Sequence, residues 1–87
     1  MATLTISDFH VIASAITEMA DSVADNPVLA NRYLNLMYKA SLGGKFSTGE
    51  LYNICLALDH HLRSNVCDVA ADSILRKIAP LCNYTRY

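Results

Sequence analysis

The side chains best able to bind a metal or attack an electrophile are Cys55, Cys67, Cys82, His10, His60 and His61. His60 and His61 are neighbours, and successive residues on a helix diverge by about 100°, so the two cannot grip one metal ion. The three cysteines are odd in number and show no CxxC spacing, which argues against a disulfide framework and predicts reduced thiols. A cysteine nucleophile needs a base within hydrogen-bond reach, and nothing in the spacing brings a histidine to Cys67. Gly43-Gly44-Lys45-Phe46-Ser47 has some features of a phosphate loop. Phe46 separates Lys45 from Ser47, however, Lys39 stands where the first glycine belongs, and the preceding segment reads as helix. No paired carboxylates fall in an apolar stretch. We therefore expect no enzyme, no metal and no cofactor.

The remaining candidates are surfaces for binding other proteins. Tyr33, Tyr38, Tyr52, Tyr84 and Tyr87 combine an apolar ring with a polar tip, a combination suited to interfaces. Tyr33 and Tyr38 either pack the edge of a core or form such an interface, and Leu34 belongs to the same edge. Charge is divided along the chain. Asp8, Glu18, Asp21 and Asp25 occur before any basic residue, and Arg32, Lys39 and Lys45 follow with no acid among them. The acidic stretch offers Asp21 and Asp25 to a basic site on another protein.

These residues must be positioned by helices. The chain has 87 residues, 53% hydrophobic and 17% charged, with a net charge of −1. That composition excludes disorder and gives no global attraction to nucleic acid or anionic membranes. Residues 1–6 read as an extended arm. Ser7 is the expected cap of a first helix, in which Phe9, Ile12, Ile16, Met19 and Val23 recur at steps of three and four. Asn26-Pro27 ends it and starts a second, over about 27–41, with Leu29, Tyr33, Leu36, Met37 and Ala40 on one side and Leu34 and Tyr38 off that stripe. Gly43-Gly44 supplies the stop.

Ser47-Thr48-Gly49-Glu50 has the form of a capping box, flanked by Phe46 and Leu51 at hydrophobic-staple positions. Leu51, Cys55, Leu58 and Leu62 make the buried stripe of the third helix, with Ile54 beside it. Asp59 and Arg63 stand four apart as an acid-before-base pair. Ser64-Asn65 is a weak break, so the sequence allows either a fourth helix from about Val66 to Ala79 or one bent helix from Thr48 to Ala79. In the first reading Cys67, Ala70, Ala71, Ile74 and Ile78 face inward and Pro80 is the stop. Leu81 to Tyr87 reads as an irregular tail that leaves Cys82 reactive. The expected architecture is all-α, a single domain over 1–87 built as a small bundle of three to four helices, with a long C-terminal helix as a variant. A helix-turn-helix would need Arg, Lys, Asn or Gln on its recognition helix. The third helix instead carries Glu50, Asn53, Asp59, His60, His61 and Arg63, so direct sequence-specific DNA binding is not expected.

At the third helix the chain resembles the Hha/YmoA family of small helical bacterial regulators. Ser47, Glu50, Leu51, Ala57, Asp59, His60 and Leu62 match that family's Ser-x-x-Glu-Leu and Ala-x-Asp-His-x-Leu pattern over about sixteen residues. Val28 to Met37 and Ile74 to Lys77 are similar to the AriR/YmgB group. The resemblance implies a non-enzymatic regulator that binds other regulators, notably nucleoid-associated proteins, with Asp59 and His60 as the polar contact positions. Arg63 completes that candidate patch. The start, MATLTISD, has no basic or apolar leader pattern, and no apolar run reaches the 18 or so residues of a membrane span, so a cytoplasmic location is expected. With so much apolar side chain and so small an interior, self-association as a homodimer is expected as well. The alternative is a small phage or mobile-element inhibitor that blocks a basic site on a host protein.

Overall fold

Each helix begins where a short polar side chain can satisfy the N–H groups that the first turn leaves unpaired. The computed structural model describes residues 4–42 and 45–85. Among them are α1 (Ile6–Ser22), α2 (Pro27–Ser41), α3 (Thr48–Ser64) and α4 (Val69–Ile78), followed by a single 3-10 turn at Ala79–Leu81 and no strand. The all-α bundle expected from periodicity is the observed fold. Gly43-Gly44 and the outermost termini lie outside the described residues.

The cap of α1 is Thr5, not Ser7. Thr5 Oγ1 accepts from the Asp8 N–H at 3.1 Å and Asp8 Oδ2 accepts from the Thr5 N–H at 3.0 Å. Asp8 therefore sits at the third helical position, the reciprocal half of a capping box. Asn26 caps α2 through the Leu29 N–H, with Pro27 first in the helix. Ser47 and Glu50 form the capping box expected for α3. Asp68 caps α4 through the Ala71 N–H at 3.1 Å.

That last cap decides between one bent helix and two. α3 ends at Ser64, the Asn65 N–H closes on the His61 carbonyl at 3.0 Å, and α4 restarts at Val69. The inward face of α4 is Ala71, Ile74, Leu75 and Ile78, whereas Cys67 and Ala70 are exposed. The expectation that Cys67 is buried is thus corrected: it lies in the connection, ahead of the helix whose period was used to turn it inward.

The tail is corrected too. The 3-10 turn holds Pro80, and Asn83 takes a left-handed φ of 55°, tolerable for asparagine. The Tyr84 N–H then reaches back to the Ala79 carbonyl at 3.0 Å. This reversal buries Cys82 and Tyr84 in the core.

α1 is the central helix, packed against α2, α3 and α4, whereas the helical neighbour of α2 is essentially α1 alone. Ile12, Ile16, Ile54, Leu58, Leu62, Leu75 and Ile78 are the large side chains wholly removed from water. Each stabilises the fold by roughly 1.5–3 kcal/mol before the cost of ordering it. The expected seam of α1 is narrower than its spacing suggested. Ile12 and Ile16 are buried with Ala15 and Ala20, while Phe9, Met19 and Val23 are only partly covered. Two ion pairs tie helix ends together: Lys39 to Glu50 at 2.8 Å joins α2 to α3, and Lys77 to Asp8 at 3.1 Å joins α4 to α1.

Candidate protein-interaction surface

The side of α2 that turns away from α1 carries large apolar side chains among its exposed polar residues Asn31, Arg32 and Asn35. Tyr33, Leu36 and Ala40 face the core and are buried. Leu34, Tyr38 and Leu42 recur every four residues on the opposite side and are 43%, 67% and 70% exposed. Four-residue spacing keeps them in one slowly turning row. At its C-terminal end the row meets a groove of about 330 Å³ between α1 and α2. Ile6, Phe9, Ala13 and Leu42 supply its apolar lining, and His10 and Ser41 its polar groups.

The sequence-derived site residues divide into three sets. Leu34 and Tyr38 stand on the exposed row, but Tyr33, one residue earlier, is core, and burial pushes its hydroxyl pKa up. Of the two readings open for Tyr33, edge packing is the observed one. Asp21 and Asp25 are exposed at the end of α1 and in the turn after it. Arg63 is exposed and His60 half-buried on α3. Asp59 is the correction: it is 6% exposed, and its Oδ2 accepts from the Tyr84 hydroxyl at 2.7 Å. A carboxylate so enclosed cannot be a surface contact. The fold therefore separates Asp59 from His60 and Arg63, and the patch drawn from the resemblance does not assemble as one surface.

Asp59 belongs instead to a buried cluster between α3 and the tail. Cys55 Sγ lies 3.7 Å from Cys82 Sγ, and the Tyr84 ring meets Tyr52 edge-on at 5.2 Å. Burial pushes the Cys55 thiol well up, helped by Cys82 and by the Asp59 charge, so it stays protonated at neutral pH. Tyr84 is pushed up likewise, by burial first and then by its bond to Asp59. Protonated thiol and phenol groups in a closed core are poor nucleophiles and poor bases.

A second polar cluster centres on His61, which the sequence offered only as half of the His60-His61 pair. Its Nδ1 lies 2.6 Å from Glu18 Oε2 on α1 and its Nε2 lies 2.7 Å from Asp68 Oδ2 at the start of α4. Ionised carboxylates only accept, so the bridge is complete when both ring nitrogens carry protons and His61 is an imidazolium. The Glu18 hydrogen bond raises its pKa most; burial opposes this and the Asp68 bond adds to it. Glu18 is 43 residues away in the chain, so spacing offered no signal. Two nitrogens engaged in opposite directions also leave none for a metal. Among the described residues no three His, Cys, Asp or Glu side chains converge on a possible metal position, and no helix is long and apolar enough to cross a membrane. No protein-family model, curated protein or solved structure matches this chain.

Proposed function

We propose that this protein is a non-enzymatic, protein-binding regulator that works as a homodimer through the outer face of α2. One observation carries the reading: Leu34, Tyr38 and Leu42 form a continuous exposed row on a helix whose opposite side is already committed to the core. Rows of this kind gain most from a helix laid alongside them.

A second copy can match this row to itself. If α2 runs antiparallel to its twin about a twofold axis near Tyr38, Leu34 of each copy stands across from Leu42 of the other. His60 and Arg63 on α3 remain outside this interface and are the surface we assign to contact with another regulatory protein.

Sedimentation equilibrium at micromolar concentration tests the reading and should give twice 9.6 kDa. Leu34→Glu should return the monomer mass while leaving the helical circular dichroism spectrum unchanged. A monomer at every concentration would overturn the dimer. The alternative inhibitor reading is favoured by one feature, the exposed Asp21 and Asp25. It requires that Asp21→Asn with Asp25→Asn abolish binding to a basic host protein while Leu34→Glu does not.

A further inference from the structure

The chain's three thiols are not equivalent, and the fold pairs two of them. Cys55, in the middle of α3, and Cys82, just past the 3-10 turn, are 27 residues apart in sequence, and their sulfur atoms are 3.7 Å apart. Cys67 is exposed in the α3–α4 connection. A disulfide bond is about 2.05 Å long, so the two sulfurs need to approach by about 1.7 Å, within reach of side-chain rotation and a small shift of the tail. Cys82 is the more movable partner. It sits on a short segment held to α3 mainly by its own packing, by Tyr84 packing and by the Tyr84–Asp59 hydrogen bond. Short non-helical segments of this kind open locally at lower free energy than the helices that they cover.

We propose that Cys55 and Cys82 are a site of reversible oxidation, joined by a hydroperoxide into an intramolecular disulfide that fastens the C-terminal segment to α3. In the opened tail Cys82 loses its proton to water and its thiolate attacks one peroxide oxygen. A sulfur–oxygen bond forms, the oxygen–oxygen bond breaks, and the departing hydroxide or alkoxide takes up a proton. Before the tail recloses, Cys55, uncovered with it, loses its proton to water and its thiolate attacks the Cys82 sulfur of the sulfenic acid. The sulfur–sulfur bond forms, the sulfur–oxygen bond breaks, and the departing hydroxide takes up a proton to leave as water. Two thiols are thereby oxidised by two electrons, and one hydroperoxide is reduced to an alcohol, or to water from hydrogen peroxide, with one further water. Cys55 stays a thiol while the tail is closed, because burial keeps it protonated. Contact between the two sulfurs makes the second step effectively intramolecular.

The experiment uses Cys67→Ser, which removes the exposed thiol and its intermolecular products. The folded variant is treated with hydrogen peroxide at neutral pH, quenched with catalase, and read by intact mass, peptide mapping and thermal melting. The expected result is a mass lower by two hydrogen atoms, a linked Cys55–Cys82 peptide, and a melting midpoint several degrees higher, all reversed by dithiothreitol. Added oxygen atoms without a link, an unchanged mass, or a link that forms only in urea would each overturn the proposal. Wild-type protein with Cys67 first blocked by iodoacetamide gives the same reading without a substitution.

Discussion

Replacing His61 by glutamine should remove a pH dependence of stability that wild type carries above about pH 6.5, the ordinary histidine value. The imidazolium joins Glu18 and Asp68 across three elements, with its side chain 14% exposed and those of its partners 49% and 33% exposed. Its folded pKa is raised above the ordinary 6.5. The stabilisation is therefore fully present below about pH 6.5 and is lost as pH rises through the higher folded-state pKa. Neutral imidazole donates one hydrogen bond and turns a lone pair toward the other carboxylate. A charge-assisted hydrogen bond contributes about 1.5–3 kcal/mol when enclosed, and a half-exposed partner such as Glu18 reduces that toward the 0.2–1 kcal/mol of surface pairs. We expect a loss of about 1 kcal/mol on deprotonation, or roughly 4–8 °C in melting midpoint for a chain of this size. The assay is the difference between wild-type and His61→Gln melting curves at matched pH. Subtraction cancels contributions from other titrating groups, Cys55 among them. From about pH 6.5 upward the difference should shrink as pH rises through the folded-state pKa. A constant difference over that range would refute the imidazolium bridge, and a difference that grows with pH would reverse its sign.

Two further outcomes test other parts of the structure. Tyr84→Phe deletes the hydroxyl that donates to buried Asp59 and should cost about 1.5–3 kcal/mol by urea denaturation; a loss below about 0.5 kcal/mol would mean that water or another donor serves the carboxylate equally well. Ser47→Ala breaks one half of the α3 capping box and should cost about 0.5–2 kcal/mol; an unmoved urea midpoint would place the start of stable helix elsewhere.

The sequence was most informative where a local rule has one solution. Asn26-Pro27 and Ser47-x-x-Glu50 marked their helix starts correctly because capping geometry spans only three or four residues. The same rule with aspartate at the third position is legible in Thr5-x-x-Asp8, where Ser7 beside it offers a competing cap. Cys67 was misplaced because apolar periodicity was extended past Asp68, which starts the helix. Asp59 and Arg63 read as a helix-surface pair, yet four-residue spacing does not say which way a face turns. A tail residue, Tyr84, draws Asp59 inward. Nothing local announces that the tail folds back, since Asn83 merely tolerates the conformation that the reversal requires. Cys55–Cys82 and Glu18–His61 are likewise products of tertiary packing. Leu34 and Tyr38 were identified because they break the stripe of α2, a departure that periodicity does reveal.

The central helix is held at both ends by charges on other elements, Asp8 to Lys77 near its start and Glu18 to His61 near its finish. One residue added or removed between those points would turn one end against the other by about 100° and shift it by about 1.5 Å. Both attachments could not then survive together with the buried Ile12–Ile16 face. Insertions and deletions should therefore be excluded from the middle of α1. The turn at Ala24-Asp25, exposed and followed by a helix that packs mainly on α1, is where the chain length can vary.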